Sequence, residues 1–435
     1  MDRLRRLTAA GTLVRSSATI FAGNAVARLL GFLFTVAAAR LLLPRDYGLF
    51  AYGLTIAMIA STFVTNAPVG LARYLARFRE DRQELDAYYT NWLSVVAATL
   101  LVSVVLAVPS ALLAGLRDWL VVAVMATLLG VAAFETCWQV LQGLESYAAL
   151  TVYWVVANAL ELAVILGLGA AGLRSPALFL IVYGLSTVVA LPVVMPMVAR
   201  LPSFVLRSLS WKKITVVARF WAPLALQTGF YAVWFGIDLI VVERRISAEA
   251  AGNYAAAKTL STIAMMAPKA IGTSLLPRAS RLSAGDLRRQ IAAAVGLSAL
   301  LIVPIVAALA VLAGPIMSVV FGARYPAAAQ PLPLLALGMG LYGFYVVLES
   351  TMWALGRPHL DAIATGAGML VTVGLTLVLV PGAGLTGAAL AFAAGAALKL
   401  AVLGAVTAWG IFLRGGTRLG HFDEETQAEA PTLMP

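Results

Sequence analysis

The chain has 435 residues, of which 61% are hydrophobic and 12% are charged, and its formal net charge at pH 7 is +11. A soluble domain usually carries about 25% charged residues, so this composition excludes a soluble protein and indicates an integral membrane protein. Membrane proteins retain Lys and Arg in cytoplasmic loops, so the positive charge does not by itself indicate nucleic acid as a partner. With one cysteine, Cys137, and two histidines, we expect no disulfide framework, no metal site and no cofactor.

Four arginines precede the first long apolar run, which extends from Ser17 to about Leu41. A cleaved signal peptide has a shorter apolar core and ends in a small-residue cleavage site. The run is too long for that pattern. We therefore expect a retained first transmembrane helix.

Apolar windows of about 18 residues or more, bounded by charges, Pro and Gly, predict twelve transmembrane helices. The first six spans are Ser17–Ala39, Tyr47–Val69, Tyr89–Leu112, Trp119–Leu141, Ala149–Leu173 and Pro176–Ala199. The second six are Phe220–Val242, Asn253–Leu275, Ile291–Ala313, Pro331–Leu355, Leu360–Val380 and Leu385–Phe412. The prediction is an all-α membrane protein with bundles at 1–199 and 220–413, a cytoplasmic amphipathic linker at 200–219 and a cytoplasmic tail at 414–435.

The loop charges predict the orientation of these spans. With a cytoplasmic N-terminus, 20 Lys and Arg residues lie in inner loops or termini and 7 in outer loops. Membrane proteins carry such an excess on the cytoplasmic side. We therefore expect both termini in the cytoplasm.

The two halves of the chain share a pattern at an offset of 204 residues. Gly48 and Phe50 begin the second span, and Gly252 and Tyr254 begin the eighth. Because each half has an even number of spans, both halves enter the membrane from the same side. This predicts two six-helix bundles related by a pseudo-twofold axis along the membrane normal, with a cavity between them. Chance similarity between apolar helices is the alternative.

The ordered series of these motifs resembles the polysaccharide-transporter branch of the MOP superfamily, the Wzx-type oligosaccharide flippases. The series comprises a basic N-terminus, Asn24 and Arg28 in the first span, Asp46-Tyr47-Gly48, Gly252-Asn253-Tyr254, Pro268, and Pro277 before Arg278–Arg281. The resemblance implies alternating access and translocation of an undecaprenyl-diphosphate-linked oligosaccharide from the cytoplasmic to the periplasmic face of the bacterial inner membrane. The implied partners are the lipid-linked oligosaccharide, membrane lipids, a glycan polymerase and chain-length proteins, and no nucleic acid.

Eight charged residues fall four or more positions inside the ends of the predicted spans. Because a charged side chain that faces lipid is energetically costly, we expect these residues to face the interior of the protein. Cations would stabilise a diphosphate where water is scarce. The candidate diphosphate ligands are Arg28, Lys258, Lys269 and Asn24; Asn24 lies one helical turn from Arg28, and both lysines share one helix face.

Aromatic and amide side chains recur at helical spacing in the fifth, seventh and tenth spans. Flat aromatic faces suit sugar rings, and amides suit sugar hydroxyls. The candidate glycan ligands are Trp154, Asn158, Gln227, Tyr231, Trp234 and Tyr345. The candidate ion-coupling carboxyls are Glu161, Asp238 and Glu349.

Each candidate has a structural alternative. The in-span charges can form ion pairs between helices, such as Asp238 with Lys258 or Arg28 with Glu161. Aromatic side chains also pack between helices or anchor at the membrane interface. A MATE-like ion-coupled exporter of small molecules and an intramembrane polysaccharide polymerase or ligase are the alternative functions. The short outer loops and the lack of a catalytic motif argue against an enzyme.

Overall fold

The computed structural model describes residues 23–113, 115–116, 119–198, 201–279, 284–355 and 357–409. The regular structure within these ranges is entirely helical, which confirms the predicted fold class of an all-α membrane protein. The predicted tail at 414–435 and the first six residues of the predicted first span lie outside the described residues.

The helices follow one another with short connections. Those of the first part are α1 (Gly23–Leu41), α2 (Pro44–Ala60), α3 (Thr62–Asn66), α4 (Leu71–Arg77), α5 (Arg82–Leu113), α6 (Trp119–Gly143), α7 (Tyr147–Ala170), α8 (Pro176–Val189) and α9 (Leu191–Val194). Those of the second part are α10 (Trp211–Arg245), α11 (Ala248–Ser261), α12 (Ile263–Ala279), α13 (Ala284–Val311), α14 (Ala313–Phe321), α15 (Leu332–Ala354) and α16 (Pro358–Thr407).

Helix occupies all twelve predicted spans in the described part of the chain. There, nine helices are long and apolar enough to cross a membrane, and a tenth such element is the pair Pro44–Ala60 and Thr62–Arg77, which is bent by 53°. The eighth predicted span is filled by α11 and α12 together, with Thr262 between them. The last two predicted spans lie within α16, which is interrupted at Gly384, where φ is 56°. A left-handed backbone at this position suits glycine, so α16 comprises two helices joined at one residue.

The seventh span begins earlier than predicted. α10 starts at Trp211, nine residues before the expected Phe220, so residues 211–219 of the predicted linker are helical. The sequence between Trp211 and Pro223 contains no Pro or Gly to end a helix, which explains the longer element.

Residues 201–210 of the predicted linker run along α5 and are hydrogen-bonded to it. Thr90 Oγ1 accepts a hydrogen bond from Val205 N at 2.9 Å. The Asn91 side chain donates to Ser208 O at 2.8 Å and accepts from Ser210 N at 2.8 Å. These bonds satisfy backbone groups that have no helical partner, so the segment has a defined path along α5.

Contacts between residues divide the chain into two compact units. Unit 1 is Met1–Ala255 with Val320–Tyr325, and unit 2 is Ala256–Val319 with Pro326–Pro435. Within unit 2, the largely buried helix α15 packs against α12, α13 and α16. The predicted bundle boundaries at residues 199 and 220 and the pseudo-twofold axis stay predictions.

Candidate functional site

Helices α1 and α7 of unit 1 approach closely because α1 has glycine where α7 presents side chains. A Cβ on Gly23 would overlap the Thr151 side chain, and one on Gly31 would lie 2.8 Å from Asn158 Oδ1. Small residues allow helix backbones to come together in membranes. This packing brings the face of α1 that carries Arg28 against α7.

Arg28 lies over an aromatic ring of α7. Its guanidinium carbon is 5.7 Å from the centroid of the Trp154 ring, within the range of a cation–π interaction. Arg28 is exposed and Trp154 is half-buried, so both retain accessible surface. The structure thus brings a predicted diphosphate ligand together with a predicted glycan ligand.

Trp154 belongs to a larger aromatic cluster, formed by Phe134 and Trp138 of α6 and Tyr153 and Trp154 of α7. Trp138 and Trp154 meet edge to face with centroids 5.3 Å apart, and Phe134 lies 5.8 Å from Trp138. Phe134 also stacks on Tyr153 at 5.7 Å. Phe134 and Trp138 were not among the predicted ligands, although their spacing of four residues places them on one helix face. The half-buried Trp138 and Trp154 rings offer the flat apolar surface that a sugar ring can contact.

Asn158 lies one turn beyond Trp154 on α7. Its side-chain nitrogen donates to Trp154 O at 2.8 Å, while its side-chain oxygen faces Gly31 of α1. The amide is therefore held in one orientation beside the Arg28–Trp154 pair. Asn24 is half-buried one turn before Arg28.

Glu161 is buried, with 5% of its surface exposed, and its partner is not Arg28. Its Oε1 accepts a hydrogen bond from the Ser186 hydroxyl of α8 at 2.9 Å. Within the described residues, Arg28 and Glu161 form no ion pair, so the structural alternative of an Arg28–Glu161 bridge is not observed. Arg28 is therefore held by packing and the Trp154 ring rather than by that carboxylate.

The predicted glycan ligands on α10 differ in how deeply they are buried. Tyr231 is half-buried and stacks on Phe235 at 5.7 Å, whereas Trp234 is fully buried. Gln227 is half-buried and one position before Thr228, whose hydroxyl contacts Asn66 Oδ1 at 3.2 Å. Of the predicted glycan ligands on this helix, Gln227 and Tyr231 therefore have accessible surface and Trp234 does not.

Asp238, further along α10, is fully buried. It accepts a hydrogen bond from the Tyr254 hydroxyl at 2.7 Å and another from Leu239 N at 2.8 Å. Tyr254 is also fully buried. The carboxyl group of Asp238 therefore joins α10 to α11 within unit 1. The predicted pair of Asp238 with Lys258 stays a prediction.

Unit 2 contains the remaining predicted residues. Lys258 is buried, with its Nζ 4.6 Å from the centroid of the Phe392 ring, whereas Lys269 is exposed. A joint diphosphate site made by Arg28 and these two lysines draws on both units and stays a prediction.

A network of polar groups in unit 2 surrounds Asp361, which is fully buried at the start of α16. We call this network the acidic cluster; its members are Tyr345, Glu349, Trp353, Asp361, Thr365 and Lys399. Trp353 Nε1 donates to Asp361 Oδ2 at 3.0 Å, and the Tyr345 hydroxyl donates to Oδ1. Thr365, one turn beyond Asp361, contributes its hydroxyl at 3.3 Å. Three donors on two helices therefore converge on one carboxyl group.

Glu349 and Lys399 complete the acidic cluster. Glu349 lies four residues after Tyr345 and four before Trp353, on the same face of α15, and its carboxyl group is within hydrogen-bonding reach of Asp361. Lys399 is buried, with its Nζ 4.4 Å from the centroid of the Tyr345 ring and 4.9 Å from that of Tyr342.

Of this cluster, Tyr345 was predicted as a glycan ligand and Glu349 as an ion-coupling carboxyl, whereas Asp361 was not predicted. This residue stands one position inside the predicted eleventh span, where a charge commonly reaches the membrane surface. In the sequence, Asp361 and Thr365 are spaced one helical turn apart, and this pair of polar side chains on one helix face could have indicated the cluster.

Three comparisons relate the chain to known proteins. Residues 13–283 match the family described as "Polysaccharide biosynthesis protein". A relative from Haloferax volcanii, the "Probable low-salt glycan biosynthesis flippase Agl15", is 27% identical over 169 residues, which is 38% of this chain and 35% of that protein. The matched segment thus spans about a third of the length of this curated relative.

Solved transporter structures share the fold. The structure titled "Lipid II flippase MurJ, inward closed conformation" superimposes with a TM-score of 0.72 at 14% identity, covering 88% of this chain and 86% of that one. An inward-facing multidrug resistance MATE family transporter of the MOP superfamily gives 0.69 at 13% identity, covering 93% and 96%. At such low identity these likenesses show the fold alone. The chain belongs to the polysaccharide biosynthesis protein family and has the fold of the MOP superfamily transporters.

Proposed function

We propose that this multi-pass membrane protein is a flippase for an undecaprenyl-diphosphate-linked oligosaccharide. It moves the glycan from the cytoplasmic to the periplasmic face of the bacterial inner membrane by alternating access, with both termini in the cytoplasm. The observation that carries the proposal is the position of Arg28 over Trp154, next to the other rings of the aromatic cluster. The family match and the flippase named among the relatives support it.

The chemistry of the proposed cargo explains why a cation lies next to aromatic rings at this site. A diphosphate needs a cation where water is scarce, and the guanidinium fork of Arg28 can donate two hydrogen bonds to phosphate oxygens. The half-buried faces of Trp138 and Trp154 are suited to the sugars that follow the diphosphate. Further contacts are assigned to the predicted ligands of unit 1 that have accessible surface: Asn24 for the diphosphate, and Asn158, Gln227 and Tyr231 for the glycan.

Coupling to an ion gradient is assigned to the carboxyl groups of Glu161 and Asp238, which are buried, and of Glu349, which is half-buried. Glu349 is supported by its place on the face of α15 that carries Tyr345 and Trp353, both of which donate hydrogen bonds to Asp361. Asp238 has a buried tyrosine hydroxyl as its partner, and Glu161 a serine hydroxyl.

A MATE-like exporter of small molecules is the second candidate, favoured by the extent of the fold similarity to a MATE family transporter. A cationic drug needs acidic groups at its binding surface. The Trp154 ring instead has a cation, Arg28, next to it, and a cation suits an anionic cargo. A polymerase or ligase has less support than either transporter.

Deletion of the gene in a strain with no second flippase tests the proposal. Surface polysaccharide should disappear and lipid-linked repeat units should accumulate on the cytoplasmic face, and the intact gene should restore both. Unchanged surface polysaccharide would refute the assignment. Increased sensitivity to cationic drugs with normal surface glycan would instead support the exporter.

A further inference from the structure

A cavity of about 350 Å³ lies between α5, α6 and residues 191–198 and 201–202 of unit 1. Its lining is largely apolar and includes Leu93, Ala97, Leu129, Val194 and Leu201. This volume is within the ~300–1,000 Å³ typical of small-molecule sites. We call it the α5–α6 cavity.

The α5–α6 cavity has a charged group at one end. Leu201 lines the cavity, and its carbonyl oxygen accepts a hydrogen bond from Arg82 Nη2 at 2.8 Å. Tyr89, which also lines the cavity, lies two turns beyond Arg82 on the same face of α5. On this face Arg82 also forms an ion pair with Asp86 at 3.1 Å, so the face changes from an ion pair to apolar side chains. An amphiphile has the same order of a polar head and an apolar chain.

The cavity also adjoins the aromatic cluster. Cys137 and Leu141 of α6 line the cavity, and Leu141 and Val194 belong to the same packed core as Tyr153. Phe134 and Trp138 also pack against that core. They follow the cavity-lining Ala133 and Cys137 by one position each, so they lie on another face of α6. The apolar cavity and the aromatic surface assigned to the glycan therefore occupy different faces of one helix.

We propose that the α5–α6 cavity binds part of the isoprenoid chain of the lipid-linked glycan. This inference rests on the proposed function, which requires one molecule with an apolar chain, an anionic diphosphate and a sugar. The chain contacts the cavity, and the glycan contacts another face of α6. The cavity is too small for a long polyprenyl chain, so the remainder stays in the bilayer. Burial of apolar surface stabilises this arrangement.

Cys137 provides the test, because it is the single cysteine of the chain and it lines the cavity. The intact protein is placed in phosphatidylcholine nanodiscs, and the rate of Cys137 alkylation by a membrane-permeant maleimide is measured. Undecaprenyl phosphate should slow the reaction by about tenfold at saturation, since the bound chain covers the thiol. Hexadecyl phosphate, with the same head and an unbranched chain, and a water-soluble sugar diphosphate should leave the rate unchanged.

Equal protection by hexadecyl phosphate would overturn the inference in favour of a general site for lipid chains, and no protection by undecaprenyl phosphate would overturn it outright. A second measurement uses two neighbouring exposed alanines of α5: Ala97 lines the cavity and Ala98 does not. Ala97→Trp should weaken equilibrium binding of radiolabelled undecaprenyl phosphate by about tenfold, and Ala98→Trp should not. Equal affinities would contradict the proposal.

These measurements do not depend on transport. Protection of Cys137 in a protein that moves no glycan would count against the proposed function alone. Glycan transport without protection would count against the cavity alone.

Discussion

Gly48 of α2 and Gly252 of α11 lie against each other, and neither has room for a side chain. A Cβ on Gly48 would overlap the carbonyl oxygen of Ala248, and a Cβ on Gly252 would overlap that of Pro44. The same two glycines occupy equivalent positions in the repeat that the sequence predicts. The contact is therefore reciprocal, since each glycine faces backbone atoms of the other helix or of the residues next to it.

Substitution of either glycine by alanine should destabilise this crossing, because the obstructing atoms are backbone and cannot move aside. We expect Gly48→Ala or Gly252→Ala to reduce the free energy of unfolding by about 1–3 kcal/mol. Thermal unfolding in detergent measures the effect. Gly167 of α7, where a Cβ would meet open space, is the matched control, and Gly167→Ala should be neutral or stabilising. Equal melting temperatures for all three variants would contradict the crossing.

Arg28→Ala should weaken cargo binding without lowering the amount of protein in the membrane. A hydrogen bond to a charged group contributes ~1.5–3 kcal/mol, so the loss in affinity should be roughly 10- to 150-fold. Arg28→Lys should keep part of the affinity, because the ammonium retains the charge but not the fork. Complementation with membrane abundance measured in parallel is the assay.

Glu161→Gln should not rescue Arg28→Ala, because Glu161 has Ser186 as its partner. Rescue by this second substitution would instead show that the two residues form an ion pair in some state, and the ligand role of Arg28 would be wrong.

Trp138→Ala should weaken binding of the glycan portion of the cargo. Aromatic contacts contribute about 0.5–1.5 kcal/mol in addition to the free energy from buried area, so we expect the affinity to fall about 2- to 13-fold. Titration with a water-soluble analogue that carries the diphosphate and sugars measures it. Trp119→Ala is the control, since Trp119 is exposed at the start of α6, outside the aromatic cluster. An equal loss in both variants would exclude a specific role for Trp138.

Lys399→Met should destabilise unit 2, because it removes a buried cation beside two acidic groups. Breaking a buried charge pair by removing one partner costs ~3–5 kcal/mol. The double variant Lys399→Met with Glu349→Gln should recover much of that loss, as it restores the charge balance of the acidic cluster. Unfolding in detergent is the measurement, and Lys212→Met, at an exposed position, is the control. No recovery in the double variant would show that Glu349 and Lys399 are not coupled.

Reporter fusions test the predicted orientation. A fusion after Arg245 should report the periplasm and one after Arg281 the cytoplasm, because the cations of the predicted inner loops outnumber those of the outer loops. The reverse result would invert the topology and the proposed direction of transport.

The sequence alone determined the class of the protein and the positions of its helices. Long apolar windows are a local property, since each span must bury its backbone polar groups by itself in the bilayer. For that reason the described parts of all twelve predicted spans are largely helical. The differences are the start of α10, nine residues early at Trp211, and the short helices α4 and α14, which were not predicted. The position of Arg28 inside a span could be predicted from the local sequence in the same way.

Only the tertiary structure decided which side chains meet. Periodicity placed Arg28 on a face of α1 and Trp154 on a face of α7, but the glycines of α1 and the rotation of both helices bring them together. Glu161 meets Ser186 for the same reason, and Asp361 becomes the centre of a network through donors on α15. Such contacts depend on crossing angles and helix rotation, which are set by packing across the whole bundle rather than by neighbouring residues.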